Sequence, residues 1–226
     1  VGIRVTVISG DFRDGHLVQR HGDSAHAVLG GHLPQQAAEL RRRLNAEDCP
    51  YVFVYLGSLD AGKRAEFLID VVACLSRRGV NACIWLAGGT EHEEQFKNKI
   101  VALQMENHIK LLGFRRDNHE LTQAADYYIT ASESEGMSVS LVEAQMAGKP
   151  CFASTLLPPE NDLKIGLFTK IEGYNPDEWA AKIEQSIVEG VKPIEREESI
   201  RMVDVGSCGE RAAIEKLLHI YCANKH

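Results

Sequence analysis

Tyr51-Val52-Phe53-Val54-Tyr55-Leu56 is an unbroken run of aromatic and aliphatic residues with no polar side chain between them. A strand with one wet face alternates apolar and polar residues. A run that never alternates needs both faces covered, which is the situation of a parallel sheet with helices on each side. Gly57 ends the run. Downstream, Phe67, Leu68, Val71, Val72 and Leu75 form one apolar stripe at helical spacing, and Gly79 closes that helix. The pattern then repeats. A strand over Ala82 to Ala87 runs into Gly88-Gly89-Thr90 and a charged helix from Glu91 to Met105. Next come a short strand (Ile109 to Leu112), Gly113, a short helix from Asn118 to Gln123 and a strand from Asp126 to Thr130. A helix from about Ser138 to Ala147 is broken by Gly148-Lys149-Pro150, and Cys151 to Ser154 is another strand. Pro158-Pro159 marks a loop, Ile165 to Ile171 a late strand, and Pro176 opens a helix over Asp177 to Val188 with Trp179, Ile183 and Ile187 on one face.

Strands and helices alternating through short connections predict an α/β fold, a Rossmann-like parallel sheet flanked by helices. The units are too few for an eightfold barrel. Ligands of such sheets bind beyond the carboxyl ends of the strands, so the loops after Leu56, Ala87, Leu112 and Thr130 form the functional rim. Upstream, Val1 to Ser9 reads as a strand stopped by Gly10-Asp11. Phe12 to Leu33 reads as a loop; its His16, His21, His26 and His32 lack a close i,i+4 pair with a carboxylate partner, so a loop is favoured over a metal site. Pro34 starts a helix, Gln35 to Asn45, and a last helix covers about Glu210 to Cys222. Residues 1–45 are thus expected to lead into the domain, and residues 46–226 to form it with its C-terminal helices. The first residue is Val1, already inside a strand, so the chain reads as a piece of a longer one.

The 226 residues can bury a proper core, and a formal net charge of −7 with Arg41-Arg42-Arg43 as the sole basic triplet argues against nucleic acid. Six cysteines show no metal-binding spacing and fall mostly in apolar runs, as free cysteines do in a reducing cytoplasm. No signal peptide and no apolar run of about 18 residues occurs in the chain, which predicts no spanning segment.

Two features of the rim carry chemistry. Gly57-Ser58-Leu59-Asp60-Ala61-Gly62-Lys63-Arg64 puts Lys63 at a helix start, where an ammonium can meet a phosphate or simply stay solvated. Glu135-Gly136-Met137-Ser138-Val139-Ser140-Leu141-Val142-Glu143 sets two carboxylates eight positions apart at a loop-to-helix junction. In a helix that spacing is a little over two turns, so both can face one side, and the helix start favours an anion. A ligand with both hydroxyls and phosphates fits the pair; an amphipathic helix with two solvated glutamates fits the spacing as well. Gly88-Gly89 lacks the third glycine of a dinucleotide fingerprint. No GxxxxGK[ST] loop occurs, and Ser132, Ser134, Ser138 and Ser140 lack a GxSxG context.

Taken in order, Val54-Tyr55-Leu56-Gly57-Ser58-Leu59 with Lys63, Leu86-Ala87-Gly88-Gly89, Leu111-Leu112-Gly113-Phe114-Arg115, Ala124-Ala125-Asp126-Tyr127-Tyr128-Ile129, Ser132 through Gln145 and Gly148-Lys149-Pro150 form a series. The series resembles the carboxy-terminal, donor-binding half of a GT-B fold in the retaining glycosyltransferases of family four. Glu143-Ala144-Gln145, Gly148-Lys149-Pro150-Cys151 and Asn161-Asp162-Leu163 look closest to the capsule and exopolysaccharide branch. The resemblance implies that Glu135 accepts hydrogen bonds from the donor sugar and Glu143 from the ribose. It implies that backbone N–H groups of Met137, Ser138 and Val139, after Gly136, hold the diphosphate, that Lys63 neutralises it as the sugar leaves, and that backbone near Arg115 meets the base edge.

The substrates so implied are a UDP- or GDP-sugar donor and a glycan or lipid-linked acceptor. No cofactor and no metal are implied. The implied partner is an amino-terminal acceptor-binding domain, in the same chain or another; without it the isolated chain would bind nucleotide but transfer sugar poorly or not at all. A cytoplasmic location follows, with peripheral association at a membrane surface. Two positions depart from the family's pattern. Ser58 stands where arginine is usual, and a hydroxyl offers a diphosphate no guanidinium fork; Arg64 stands where glycine is usual and is the candidate for the second cation. Ser58 and the missing acceptor-binding half favour an alternative, a non-catalytic nucleotide-sugar-fold module serving as a partner or regulatory subunit. A flavodoxin-like or receiver domain would need a flavin or phosphorylation site that the sequence does not display.

Overall fold

The computed structural model describes Phe12–Arg13, His16–Leu17 and residues 33–205. The strand expected over Val1 to Ser9, the last helix over Glu210 to Cys222, and His21, His26 and His32 lie outside the described residues. Within the expected loop, Phe12–Arg13 (β1) and His16–Leu17 (β2) pair antiparallel.

Leu33–Gly206 forms one compact unit. Its helices are α1 (Leu33–Arg43), α2 (Ala65–Arg77), α3 (Glu93–Ala102), α4 (Asn118–Ala124), α5 (Val139–Met146), α6 (Pro176–Val188) and α7 (Arg196–Val205). Its strands are β3 (Tyr51–Leu56), β4 (Ala82–Ala87), β5 (Ile109–Gly113), β6 (Tyr127–Thr130), β7 (Cys151–Ser154) and β8 (Phe168–Ile171). They form one sheet in the order β5-β4-β3-β6-β7-β8, parallel throughout. Renumbered from β3, that order is the doubly wound one, in which the connections reverse direction between β3 and β6. The crevice at that reversal is where such folds place a ligand.

The opening stretch is explained by its two faces. Phe53 and Tyr55 point into a cluster with Leu68, Val72, Ile84, Leu86 and Trp179, under α2, α3 and α6. Val52, Val54 and Leu56 point the other way, into a cluster with Leu40, Trp85, Leu121 and Leu141, under α1, α4 and α5. Each fully buried large side chain removes about 1.5–3 kcal/mol of apolar exposure from water, so neither face can be left bare. Trp179 anchors one side: its indole donates to Gly173 O at 2.9 Å and meets Phe67 edge-on at 5.3 Å.

Several boundaries differ from the sequence reading, each for a local reason. The helix expected from Gln35 to Asn45 runs from Leu33 to Arg43, because Asn45 turns left-handed at φ 51°. The helix expected over Glu91 to Met105 is shortened to α3, with Thr90 Oγ1 accepting from His92 N before it and Gln104 at φ 56° after it. The late strand is only Phe168–Ile171. Leu163, Ile165 and Leu167 are buried at alternate positions, which imitates a strand, but Lys164 (φ 59°) and Gly166 (φ 78°) bend the backbone off the ladder. Helix α7 was not expected; few of its side chains are buried, Ser199 and Val203 among them, so its apolar period is faint.

Cys49 and Cys83 are bonded as a disulfide across a Cα separation of 6.1 Å, which corrects the expectation that the cysteines are free. At a sequence separation of 34, spacing alone could not have paired them. Cys74 and Cys151 are free and buried. Among the described residues no helix is long and apolar enough to cross a membrane.

Candidate functional site

The loops after β3 and β6 face each other across the reversal point, and their side chains meet there. After β3, the chain passes Gly57 and Ser58 and makes a 3-10 turn, Ala61–Lys63. Gly57 and Gly88 are pressed together: a Cβ on Gly88 would stand 1.7 Å from Gly57 O. Glycine at 88 therefore answers a backbone approach, not a phosphate fingerprint. Gly57 N donates to Ala87 O at 3.0 Å and Gly88 N to Gly113 O at 2.8 Å, which locks the loops after β3, β4 and β5 into one rim.

Lys63 Nζ donates to Glu135 Oε1 at 2.8 Å, joining the two loops, and Ser132 Oγ donates to the same oxygen at 2.5 Å. Burial works to raise the Glu135 carboxyl, but hydrogen bonds from Lys63 and Ser132, the Lys63 charge and the Ser138 hydroxyl outweigh it. The group is held below the ordinary glutamate value and is ionised at neutral pH. The pair is only partly shielded, with side-chain exposures of 32% for Lys63 and 15% for Glu135, so an incoming ligand can reach both. Glu133 N donates to Gly62 O at 3.1 Å, a backbone tie between the same loops.

Arg64 lies beside this pair with φ 49°, a left-handed conformation that suits glycine better than arginine. Its guanidinium pairs with Glu133 and lies 4.0 Å from the centre of the Tyr174 ring. Half-buried Ser58 offers its carbonyl to the Tyr55 hydroxyl at 2.7 Å. Burial, with the Glu135 and Asp60 charges, pushes the Tyr55 hydroxyl well up, so it stays a neutral donor.

Helix α5 begins at Val139, so Glu135 sits in the turn before it and helical spacing does not relate Glu135 to Glu143. Glu143 is half-buried in the second turn of α5. Met137 and Val139 are exposed at the helix start. The Ser138 N–H donates to Asn161 Oδ1 at 2.7 Å. Tyr128 OH and Ser140 Oγ stand 2.7 Å apart, and Ser140 Oγ donates to Leu56 O at 3.3 Å, fastening this end of α5 to β3. On the loop after β5, Arg115 makes a two-pronged pair with Asp117 at 2.7 and 2.5 Å, leaving its backbone at the rim. Phe114 beside it is 74% exposed.

Sequence reasoning brought Lys63 and Glu135 to one rim but missed Ser132, Tyr55, Tyr128 and Glu133. No periodic signal distinguishes them: each acts through a single hydroxyl or carboxylate, Ser132 and Tyr55 on partners three positions away, Tyr128 on Ser140 and Glu133 on Arg64. Asn161 stood only within a family likeness, yet it is fully buried with its amide satisfied. Among the described residues no group of three or more His, Cys, Asp or Glu side chains could hold a metal ion. The arrangement suits recognition of an anion beside hydroxyl groups: a cation and a carboxylate within one hydrogen bond, next to an open helix start.

Comparison with known proteins bears on this arrangement. The family model described as glycosyl transferases group 1 matches residues 36–201. A Bacillus subtilis protein, EpsF, provisionally named a glycosyltransferase, is 30% identical over 129 residues, covering 57% of this chain and 34% of its own. The crystal structure of Anabaena HepE in complex with UDP and glucose superposes with a TM-score of 0.64 at 23% identity, over 82% of this chain and 52% of that one. WaaG, described as a glycosyltransferase involved in lipopolysaccharide biosynthesis, gives a TM-score of 0.67 at 18% identity, over 83% and 51%. At these identities the two structures speak for the fold alone, a Rossmann-like parallel sheet flanked by helices of the kind found in GT-B glycosyltransferases. The chain spans about a third of the length of the curated relatives it matches.

Proposed function

The chain belongs to the family of glycosyl transferases group 1, and from that premise we propose that it is a donor-binding domain, taking a nucleoside-diphosphate sugar at the rim between β3 and β6. The observation that carries the reading is the Lys63–Glu135 contact at the point where the sheet order reverses. A diphosphate arriving at the start of α5 draws the Lys63 ammonium from Glu135, and the freed carboxylate accepts from the sugar hydroxyls. Glu143 takes the ribose hydroxyls and the backbone at Arg115 the base edge. UDP and GDP are the candidate nucleotides, and the UDP held by the HepE crystal structure favours the first.

Transfer with retention has the acceptor hydroxyl attack the anomeric carbon on the face from which the diphosphate departs. The bond from that carbon to the phosphate oxygen breaks as the new one forms, and the acceptor's proton passes to the diphosphate. Lys63 stabilises the charge that develops on the leaving oxygen. Neither a metal nor a cofactor enters this scheme. The acceptor, a glycan or a lipid-linked one, is bound by an amino-terminal half in the same or another chain, so this domain alone binds the donor and transfers sugar poorly or not at all. Capsule, exopolysaccharide or glycoconjugate synthesis is the matching pathway class. The working site is the cytoplasm, at a membrane surface where the acceptor is lipid-linked.

Titration calorimetry with UDP, GDP and ADP tests the donor site. One of the three binds with a dissociation constant below millimolar, and Glu143→Ala weakens it about tenfold through the ribose, the loss of one hydrogen bond to a charged group. Absence of binding by all three refutes the donor site, and unchanged affinity in Glu143→Ala refutes the ribose role. A second reading, a non-catalytic module of the same fold, draws support from neutral Ser58 and from Arg64 being engaged by Glu133 and Tyr174.

A further inference from the structure

Helix α5 receives no hydrogen bond from its own N-cap side chain at Ser138. The turn that leads into it, Gly136 to Ser138, is instead held from a distance. Asn161, at the end of the 3-10 turn Pro159–Asn161, accepts the Ser138 N–H on Oδ1 at 2.7 Å. Its Nδ2 donates to Gly136 O and to Pro158 O, each at 3.2 Å. Asn161 is itself fixed from below, since Gln145 Nε2 donates to Asn161 O at 2.7 Å and Gln145 Oε1 accepts from Leu163 N at 3.0 Å. Ser199 Oγ of α7 donates to Gln145 O at 2.5 Å. Asn161, Gln145 and Ser199 have no exposed surface at all.

We infer that Asn161 is a positioning residue for diphosphate binding: it sets the turn before α5 so that backbone N–H groups, and not the Gly136 carbonyl, face the ligand. The inference rests on the proposed donor site and deepens it. A carbonyl turned toward a diphosphate repels it, and an N–H attracts it. One amide side chain controls both, holding Gly136 O by donation and using the Ser138 N–H by acceptance. The ligand is therefore left the N–H groups of Met137 and Val139. Gln145 and Ser199 extend the support through α5 into α7, so the geometry of the phosphate turn is tied to α7.

The test separates phosphate from nucleoside. UDP and uridine, with GDP and guanosine in parallel, are titrated into the intact chain and into Asn161→Ala, with thermal melting as a check on folding. Asn161→Ala is expected to lose about tenfold in affinity for the diphosphate, the size of one to two lost hydrogen bonds, and less than twofold for the nucleoside. A merely structural role lowers both together or neither. If Asn161→Ala does not fold, Asn161→Asp keeps the volume and turns the donations to Gly136 O and Pro158 O into repulsions, and the same loss of preference for the diphosphate is expected. A preference retained in the folded variant overturns the inference alone. An unmodified chain that binds neither diphosphate overturns the donor site and this inference with it.

Discussion

Lys63 and Glu135 neutralise each other at 2.8 Å, and that contact shapes what either can do for a ligand. With Ser58 neutral and Arg64 drawn to Glu133, the cationic side of the proposed donor site rests chiefly on Lys63. Lys63→Ala is therefore expected to cost ten- to a hundredfold in affinity for UDP, the scale of about 1.5–3 kcal/mol for a hydrogen bond to a charged group. Calorimetry on the variant checks it, and an affinity within threefold of the unmodified chain would shift the phosphate site elsewhere. The two residues were legible as a pair of rim residues because each follows a buried strand, β3 or β6, in a fold whose ligand edge is known from strand direction. Their direct contact was not legible, being 72 residues apart in sequence. Arg64 shows the limit from the other side: a charge near the site was readable, whereas the left-handed backbone and the Tyr174 ring that draw it aside were not.

At the scale of elements, α1 and α4 are pinned to the start of β6 by a charged cluster on the far side of the domain. Arg41 pairs with Asp126 at 2.7 Å and its Nε donates to Ala124 O, while Asp126 accepts from Val52 N. Lys149, buried beside them, donates to Gln123 O and Ala125 O at 2.9 and 2.8 Å. Burial, with the Arg41 charge and against the charges of Asp126 and Glu195, lowers the Lys149 ammonium from its ordinary value to about 8. Below pH 8 Lys149 is charged whether the chain is folded or not. Between pH 8 and the ordinary lysine value of about 10.4 the unfolded chain holds one more proton than the folded one, so this residue makes stability rise with pH in that window. Urea midpoints of the unmodified chain and of Lys149→Met, measured at pH 7 and 9.5, check it. The stability difference in favour of the unmodified chain grows at the higher pH; a constant difference would contradict the account. The order of elements was readable from β3 onward because each buried strand is a run of apolar residues bounded by glycine or proline. Helix α7 and the Asn161 turn were not, because Ser199 and Asn161 are held by hydrogen bonds to α5 and the turn before it, which leave no apolar period. The strand read over Ile165 to Ile171 failed for the converse reason: alternation at Leu163, Ile165 and Leu167 reports burial, and burial needs no ladder.

For the whole molecule, the doubly wound order converts separate loops into one rim. Reversal between β3 and β6 brings residues 57–64 against residues 132–138, and the ties at Gly57, Gly88 and Gly113 add the loop of Phe114 and Arg115. The two-sided core was evident from Tyr51 to Leu56 alone; the fold family needed the whole series of motifs; the Cys49–Cys83 bond needed coordinates. The nucleotide is expected to bind at this rim and at no other surface. Backbone amide NMR shifts of the isotope-labelled chain, followed as UDP is added, test it most directly. Saturable changes are expected to concentrate at residues 57–64, 113–115 and 135–143, with little at the Lys149 cluster. Changes centred elsewhere, or none at millimolar UDP and GDP, would contradict it.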